Sequence, residues 1–84
     1  MKNLKIDKKQ KRAELSLNSV FYPEDIVERV IKDFEGVFDT KLEREGGRIN
    51  IKLKLMAKGA NIEDVTYKFI NYLLAEVKNS EVNM

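Results

Sequence analysis

The stretch 48–56, RINIKLKLM, alternates between apolar and polar side chains over most of its length. Successive side chains of an extended chain point to opposite faces, so this spacing predicts a strand with one face on a core and one face open. Gly46-Gly47 lies directly before it and is typical of a tight hairpin turn, which needs positive φ. The apolar positions that share the predicted core face are Ile49, Ile51, Leu53 and Leu55.

Two further segments alternate in the same way. Residues 38–44, FDTKLER, precede the glycine pair, and residues 12–20, RAELSLNSV, lie further upstream. Pro23 follows residues 12–20 and is placed to open an amphipathic helix, because a proline at the first helical position costs the helix no hydrogen bond. Asn61 is placed to cap a second helix that runs to about residue 78. The predicted order is therefore strand, helix, strand, strand, helix.

This order predicts an α+β domain over residues 12–80. A right-handed crossover followed by the hairpin places the third predicted strand in the middle. The sheet would then be three-stranded and antiparallel, in the order 1-3-2, with both helices on one face. This is a ferredoxin-like fold that lacks its last strand. The edge beside the first strand would have no neighbour and would be open to an added strand.

The composition disfavours catalysis. The chain has 84 residues and contains neither cysteine nor histidine. Disulfides and thiolate chemistry are excluded, and the usual general base near neutral pH is missing. We therefore expect that the chain is not an enzyme and that it binds neither a metal nor a cofactor. No apolar run approaches the ~18 residues that span a bilayer, and no signal-peptide pattern is present, so we expect a cytoplasmic protein without membrane contact.

Positive charge is concentrated at the N-terminus. Residues 1–12 contain six basic residues and one acidic residue, and we expect residues 1–11 to form a flexible basic arm and residues 81–84 a C-terminal tail. Basic arms contact phosphates, but the outward positions of the predicted strands hold no aromatic side chain on which a base would stack. A nucleic-acid-binding module is thus an alternative. Its candidate phosphate contacts are Lys8, Lys9, Lys11, Arg12, Lys52 and Lys54.

The second predicted helix has more apolar surface than one sheet covers. Its apolar positions span an arc of roughly 220°, whereas a helix on a sheet needs about 100–140°. The surplus either folds over the sheet edge or forms a surface for a partner. We favour the partner, because tyrosine is enriched where a side chain is partly buried and partly wet. The candidate interface residues are Tyr67, Ile70, Tyr72, Leu74 and Val77.

Several short motifs resemble the small D-type proteins of the His-Xaa-Ser peptide-maturation system. They are Phe21-Tyr22-Pro23-Glu24 before a helix, Phe34 near its end, INIKLKLMAK, and KFINYLLAEVK. That family places a Tyr, often Tyr-Pro, before its first helix and a Phe-x-Asn-x-Leu-Leu pattern in its second. The pattern is matched here by Phe69, Asn71, Leu73 and Leu74. The resemblance covers roughly residues 13–78.

The resemblance implies an accessory protein that acts beside radical enzymes on a ribosomally made peptide, with no catalytic residues assigned. The element order also resembles the small dimer-forming subunit of the complex that makes threonylcarbamoyl-adenosine in tRNA, and this is the alternative. The resulting prediction is a non-catalytic protein that forms a homodimer and binds a peptide or a partner protein.

Overall fold

The computed structural model describes the backbone of residues 3–82 and the side chains of residues 3–79. The six elements, in chain order, are β1 (Leu4–Asp7), β2 (Arg12–Asn18), α1 (Glu24–Asp33), β3 (Phe38–Glu45), β4 (Arg48–Leu55) and α2 (Ile62–Val82). The α+β class is confirmed. Helix α2 continues past the predicted end at residue 78 and into the expected tail, whose last two residues lie outside the described residues.

The sheet has four antiparallel strands in the order β1-β2-β4-β3. The predicted central position of RINIKLKLM is present, because β4 lies between β2 and β3. The prediction of three strands is wrong. Strand β1 pairs with β2, so the edge that was expected to lack a neighbour is already occupied within the chain.

A tight turn over residues 8–11 brings β1 back onto β2. The Asp7 carboxylate accepts hydrogen bonds from the backbone N–H groups of Lys9 (3.0 Å) and Gln10 (3.1 Å), as turn aspartates commonly do. Lys11 completes the turn with a φ of 55°, in the left-handed region that favours glycine. The N-terminal residues therefore do not form a separate flexible arm from Leu4 onward. Residues 1 and 2 lie outside the described part of the chain.

The spatial order of the four strands matches that of the expected ferredoxin-like sheet with its last strand added, but the chain passes through the strands in a different order. In that fold a β-α-β-β-α unit is followed by a last strand that lies antiparallel to the first at the sheet edge. Here β1 takes that edge position, but it comes from the N-terminus instead of the C-terminus. The edge strand that we expected to be absent is thus present, and it comes from the N-terminal side of the domain.

Both helices pack on the apolar face of the sheet. Helix α2 lies against β2 and beside α1. An aromatic cluster joins the layers, since the Phe69 ring lies edge-on to Phe34 (5.2 Å between centroids) and to Phe38 (6.0 Å). The buried strand residues that face the helices include Ala13, Leu15, Leu17, Ile49, Ile51, Leu53 and Leu55.

Candidate interaction surfaces

Helix α2 exposes two large apolar side chains on one flank. Tyr67 is 51% exposed and Leu74 is 44% exposed. They lie seven residues apart, which places them on the same side of a helix. We call this pair the α2 flank. It is the part of the predicted interface that the fold leaves open.

Three other predicted interface residues have structural contacts within the chain. Ile70 and Val77 are buried in the core, so they are not available to a partner. The correction has a geometric reason: at about 100° per residue, Ile70 and Val77 lie nearer the middle of the apolar arc of α2, whereas Tyr67 and Leu74 lie at its margin. Tyr72 remains 39% exposed, but it lies on the side of α2 that meets α1.

Tyr72 joins the two helices. Its hydroxyl donates a hydrogen bond to the Asp33 carboxylate at 2.9 Å, and its ring lies edge-on to Phe34 with 5.7 Å between centroids. The hydrogen bond to Asp33, together with partial desolvation and the negative charge of that carboxylate, raises the pKa of Tyr72 above its ordinary range. The contact favours the neutral phenol in the folded chain.

The basic residues of the turn lie at the same end of the sheet as Lys54. Arg12 is the cross-strand neighbour of Lys54, and Lys9 and Lys11 lie in the adjoining turn. Lys8 instead forms an ion pair with Glu63 at 2.6 Å, and this contact raises the pKa of the Lys8 amine. Lys9, Lys11, Arg12 and Lys54 therefore lie at one end of the sheet, whereas Lys8 pairs with Glu63 of α2.

The open face of the sheet carries mixed charge. Lys52 lies opposite Glu14 on one side and Lys41 on the other, and its amine is 4.0 Å from Glu43. Such alternation leaves no continuous positive stripe of the kind that follows a phosphate backbone. The other charged members of this face include Lys5, Asp7, Arg12, Asp39 and Lys54.

Strand β3 leaves one long edge of the sheet unpaired among the described residues. The Met56 backbone N–H donates to the Val37 carbonyl oxygen (2.9 Å), which fixes the phase of the ladder between β3 and β4. Residues in an antiparallel ladder alternate between those that bond to the neighbouring strand and those that face away. The backbone groups that face away from β4 accordingly belong to Thr40, Leu42 and Arg44.

A shallow groove of about 370 Å³ follows this edge between β3 and α1, lined in part by Ile31, Phe38, Thr40 and Met56. Arg44 lies beyond it on the helix side of β3. Its guanidinium forms ion pairs with Glu24 and, at 3.2 Å, with Glu28, which both belong to α1. The edge therefore carries a charged side chain on its helix side, but that charge is compensated within the chain.

Sequence reasoning missed two exposed apolar residues in the loop between β2 and α1. Val20 is 81% exposed and Phe21 is 67% exposed. Val20 was the last residue of the predicted strand 12–20, but β2 ends at Asn18, so both residues lie in the turn that follows. Their position shortly before Pro23, where a chain turns, is the signal that indicates a surface location.

No family model, curated protein or solved structure matches the chain. Within residues 3–82, neither helix is long and apolar enough to cross a membrane. The same described residues contain no cluster of three or more acidic side chains that would hold a metal ion. The surfaces themselves are thus the basis for a functional proposal.

Proposed function

We propose that this chain is a non-catalytic interaction protein that self-associates and binds a partner protein or peptide. The observation that carries the partner-binding half of the proposal is the α2 flank. Tyr67 and Leu74 expose apolar surface on a helix whose other large apolar residues, apart from the half-exposed Tyr72, are buried or partly buried in the chain's own core. Exposed apolar positions that lie together on a rigid element are typical of partner surfaces.

The contribution of Tyr67 is chemically reasonable for such a surface. A tyrosine gives a large contact area at little cost in conformational entropy, and its hydroxyl stays solvated at the rim. The same flank carries Asn71 between the two apolar residues, so a partner would meet a mixed surface. This composition favours reversible binding over permanent burial.

Site-specific photo-crosslinking tests the partner surface. A photoreactive residue in place of Tyr67 should form covalent adducts in extract of the source cells, with the adducts identified by mass spectrometry. The same residue in place of Lys68, the next exposed position on α2, is the matched control. Equal adduct yields at the two positions would contradict the proposal. An adduct with a radical enzyme or its peptide substrate would support the peptide-maturation setting that the motifs imply.

Self-association is tested separately by mass. Sedimentation equilibrium at several hundred micromolar should give a mass above that of one chain. A mass equal to one chain at every concentration would remove this half of the proposal and leave the partner half to the crosslinking result.

A nucleic-acid-binding role is the second candidate, because Lys9, Lys11, Arg12 and Lys54 lie at one end of the sheet. Asp7 and Asp39, however, flank the Arg12 and Lys54 pair across the strands. If this candidate is correct, binding to single-stranded RNA or DNA should weaken steeply with added salt and on replacing Lys9 and Lys11 by glutamine. Binding that is independent of these lysines would reject it.

A further inference from the structure

We propose that two copies of the chain pair through the free edges of β3, antiparallel and about a twofold axis at Leu42. The two four-stranded sheets would then form one continuous sheet. This inference rests on the proposed self-association and names the interface that produces it. It follows from the phase of the β3 ladder, the length of the edge and the order of charges along it.

Strand β3 offers more pairing groups than the other edge. Thr40, Leu42 and Arg44 direct their backbone N–H and C=O groups away from β4, whereas β1 spans only Leu4–Asp7. By the same alternation, only Leu4 and Ile6 of β1 face outward, since Ser16 donates its N–H to Asn3 across that ladder. A β3 pair would form about six inter-strand hydrogen bonds. A pair that joined β1 to β3 would not close on itself and would extend into filaments.

The charges on β3 select one register. Residues of β3 whose backbone groups face away from β4 must pair with residues of the same kind in the second copy. Two symmetric registers meet this condition and also overlap along nearly the whole strand. The register centred on Leu42 sets Lys41 opposite Glu43 of the second copy, twice by symmetry. The register centred on Lys41 sets that lysine opposite itself and Asp39 opposite Glu43. Opposite charges across strands stabilise a pair and like charges oppose it, so the Leu42-centred register is favoured.

The like charges at the ends of the favoured register each have a basic neighbour within their own chain. Asp39 would lie opposite Glu45 of the second copy, but each already has a basic neighbour on β4. Lys54 is the cross-strand partner of Asp39, and Arg48 is the partner of Glu45. These basic neighbours reduce the repulsion between the like charges at the ends of the favoured register.

The helix side of β3 also permits the pairing. An inward-pointing charge often protects an edge strand from another chain. Arg44 is such a residue, but it is held by Glu24 and Glu28 and would face the neutral Thr40 of the second copy. Leu42 is only partly buried at the rim of the core, and it would meet Leu42 of the second copy directly. The pairing would cover its remaining apolar surface.

Charge reversal at the two exposed central positions tests the register. Lys41→Glu and Glu43→Lys, made separately in the full chain, should each weaken dimerisation by about tenfold or more, because each turns two attractive pairs into repulsive ones. The double variant K41E/E43K restores opposite charges across the axis and should return the dissociation constant to near that of the original chain. Sedimentation equilibrium gives the constants, and circular dichroism checks that each variant is folded.

Amide hydrogen exchange gives an independent measurement. The N–H groups of Leu42 and Arg44 should become protected as the protein concentration rises, while those of Lys41 and Glu43, which bond to β4, are protected throughout. A dimer that is unaffected by the single charge variants would overturn the inference and leave self-association intact. So would a failure of the folded double variant to restore pairing. A chain that stays monomeric would overturn both the inference and the self-association.

Discussion

Tyr72 illustrates how a single residue divides its surface between structure and solvent. Its place in the wide apolar arc of α2 suggested a role in the interface, yet its hydroxyl and its ring both contact α1. The periodicity of α2 put Tyr72 at the margin of the apolar arc, which was correct. Periodicity does not reveal which neighbour occupies that margin, because the partner, Asp33, is distant in sequence.

The raised pKa of Tyr72 predicts a specific loss of stability at high pH. The folded chain holds the phenolic proton more tightly than the unfolded chain does, so the contribution is fully present below about pH 10 and is lost as the pH rises through the folded pKa. Tyr72→Phe should flatten this part of the profile. Urea midpoints measured between about pH 8 and pH 11 would show it.

Tyr67→Phe is the matched control, since no hydrogen bond from the Tyr67 hydroxyl occurs among the described residues. It should keep the profile of the original chain. Some slope should remain in both variants, because Lys8 also has a raised pKa through its ion pair with Glu63. Identical profiles for the two phenylalanine variants would contradict the assignment to Tyr72.

At the scale of elements, strong periodicity was informative and short segments were not. Strand β4 was predicted closely, because four apolar residues alternate with polar ones and a glycine pair marks its start. Strand β1 was missed, because four residues with two apolar side chains give a weak signal. The turn that pairs it with β2 contains no glycine and instead places Lys11 at positive φ. The usual sequence mark of a hairpin was therefore absent.

The turn between β3 and β4 gives an element-scale prediction. Gly46 has φ 53° and Gly47 has φ 82°, as a type I′ hairpin turn requires. Gly47→Ala should lower the free energy of unfolding by about 1 kcal/mol, because alanine resists a left-handed backbone. Gly46→Asn should change it by less than about 0.5 kcal/mol, since asparagine is accepted at the first central position. Chemical denaturation measures both values.

Steric contacts of the added side chains do not affect the comparison of the two glycine variants. A Cβ at Gly46 would meet nothing within 4 Å, and a Cβ at Gly47 would meet only the Ser19 hydroxyl at 4.0 Å. The expected difference therefore comes from the backbone alone. Equal stability of the two variants would mean that the turn relaxes to another type.

At the scale of the whole molecule, the sequence predicted the layers and most of the strand neighbours, but not the fourth strand at the edge beside β2. The order of β2, β4 and β3 follows from local signals and general connection rules. The position of β1 depends on a contact with β2 that only the folded chain reveals. This changes the candidate site as well, because the unpaired edge is at β3 and not beside β2. The spacing of the apolar residues of α2 predicted the exposed pair Tyr67 and Leu74, whereas Ile70 and Val77 lie nearer the middle of the apolar arc and are buried in the core.

The completed sheet predicts that the N-terminal strand stabilises the domain. Leu4 and Ile6 pack against the core, and Ile6 lies in one cross-strand row with Ala13. Ile6→Asn should lower the free energy of unfolding by about 1–2 kcal/mol, because half-buried apolar surface is lost and a polar group takes its place. Lys5→Asn, on the open face of the same strand, should change it by less than about 0.5 kcal/mol. Deleting residues 1–9 should cost more than Ile6→Asn and should also make the chain prone to aggregate, since the backbone groups of β2 would lose their partners. Urea denaturation and light scattering measure these effects. A truncated chain as stable as the full one would show that the sheet does not depend on β1 for its stability.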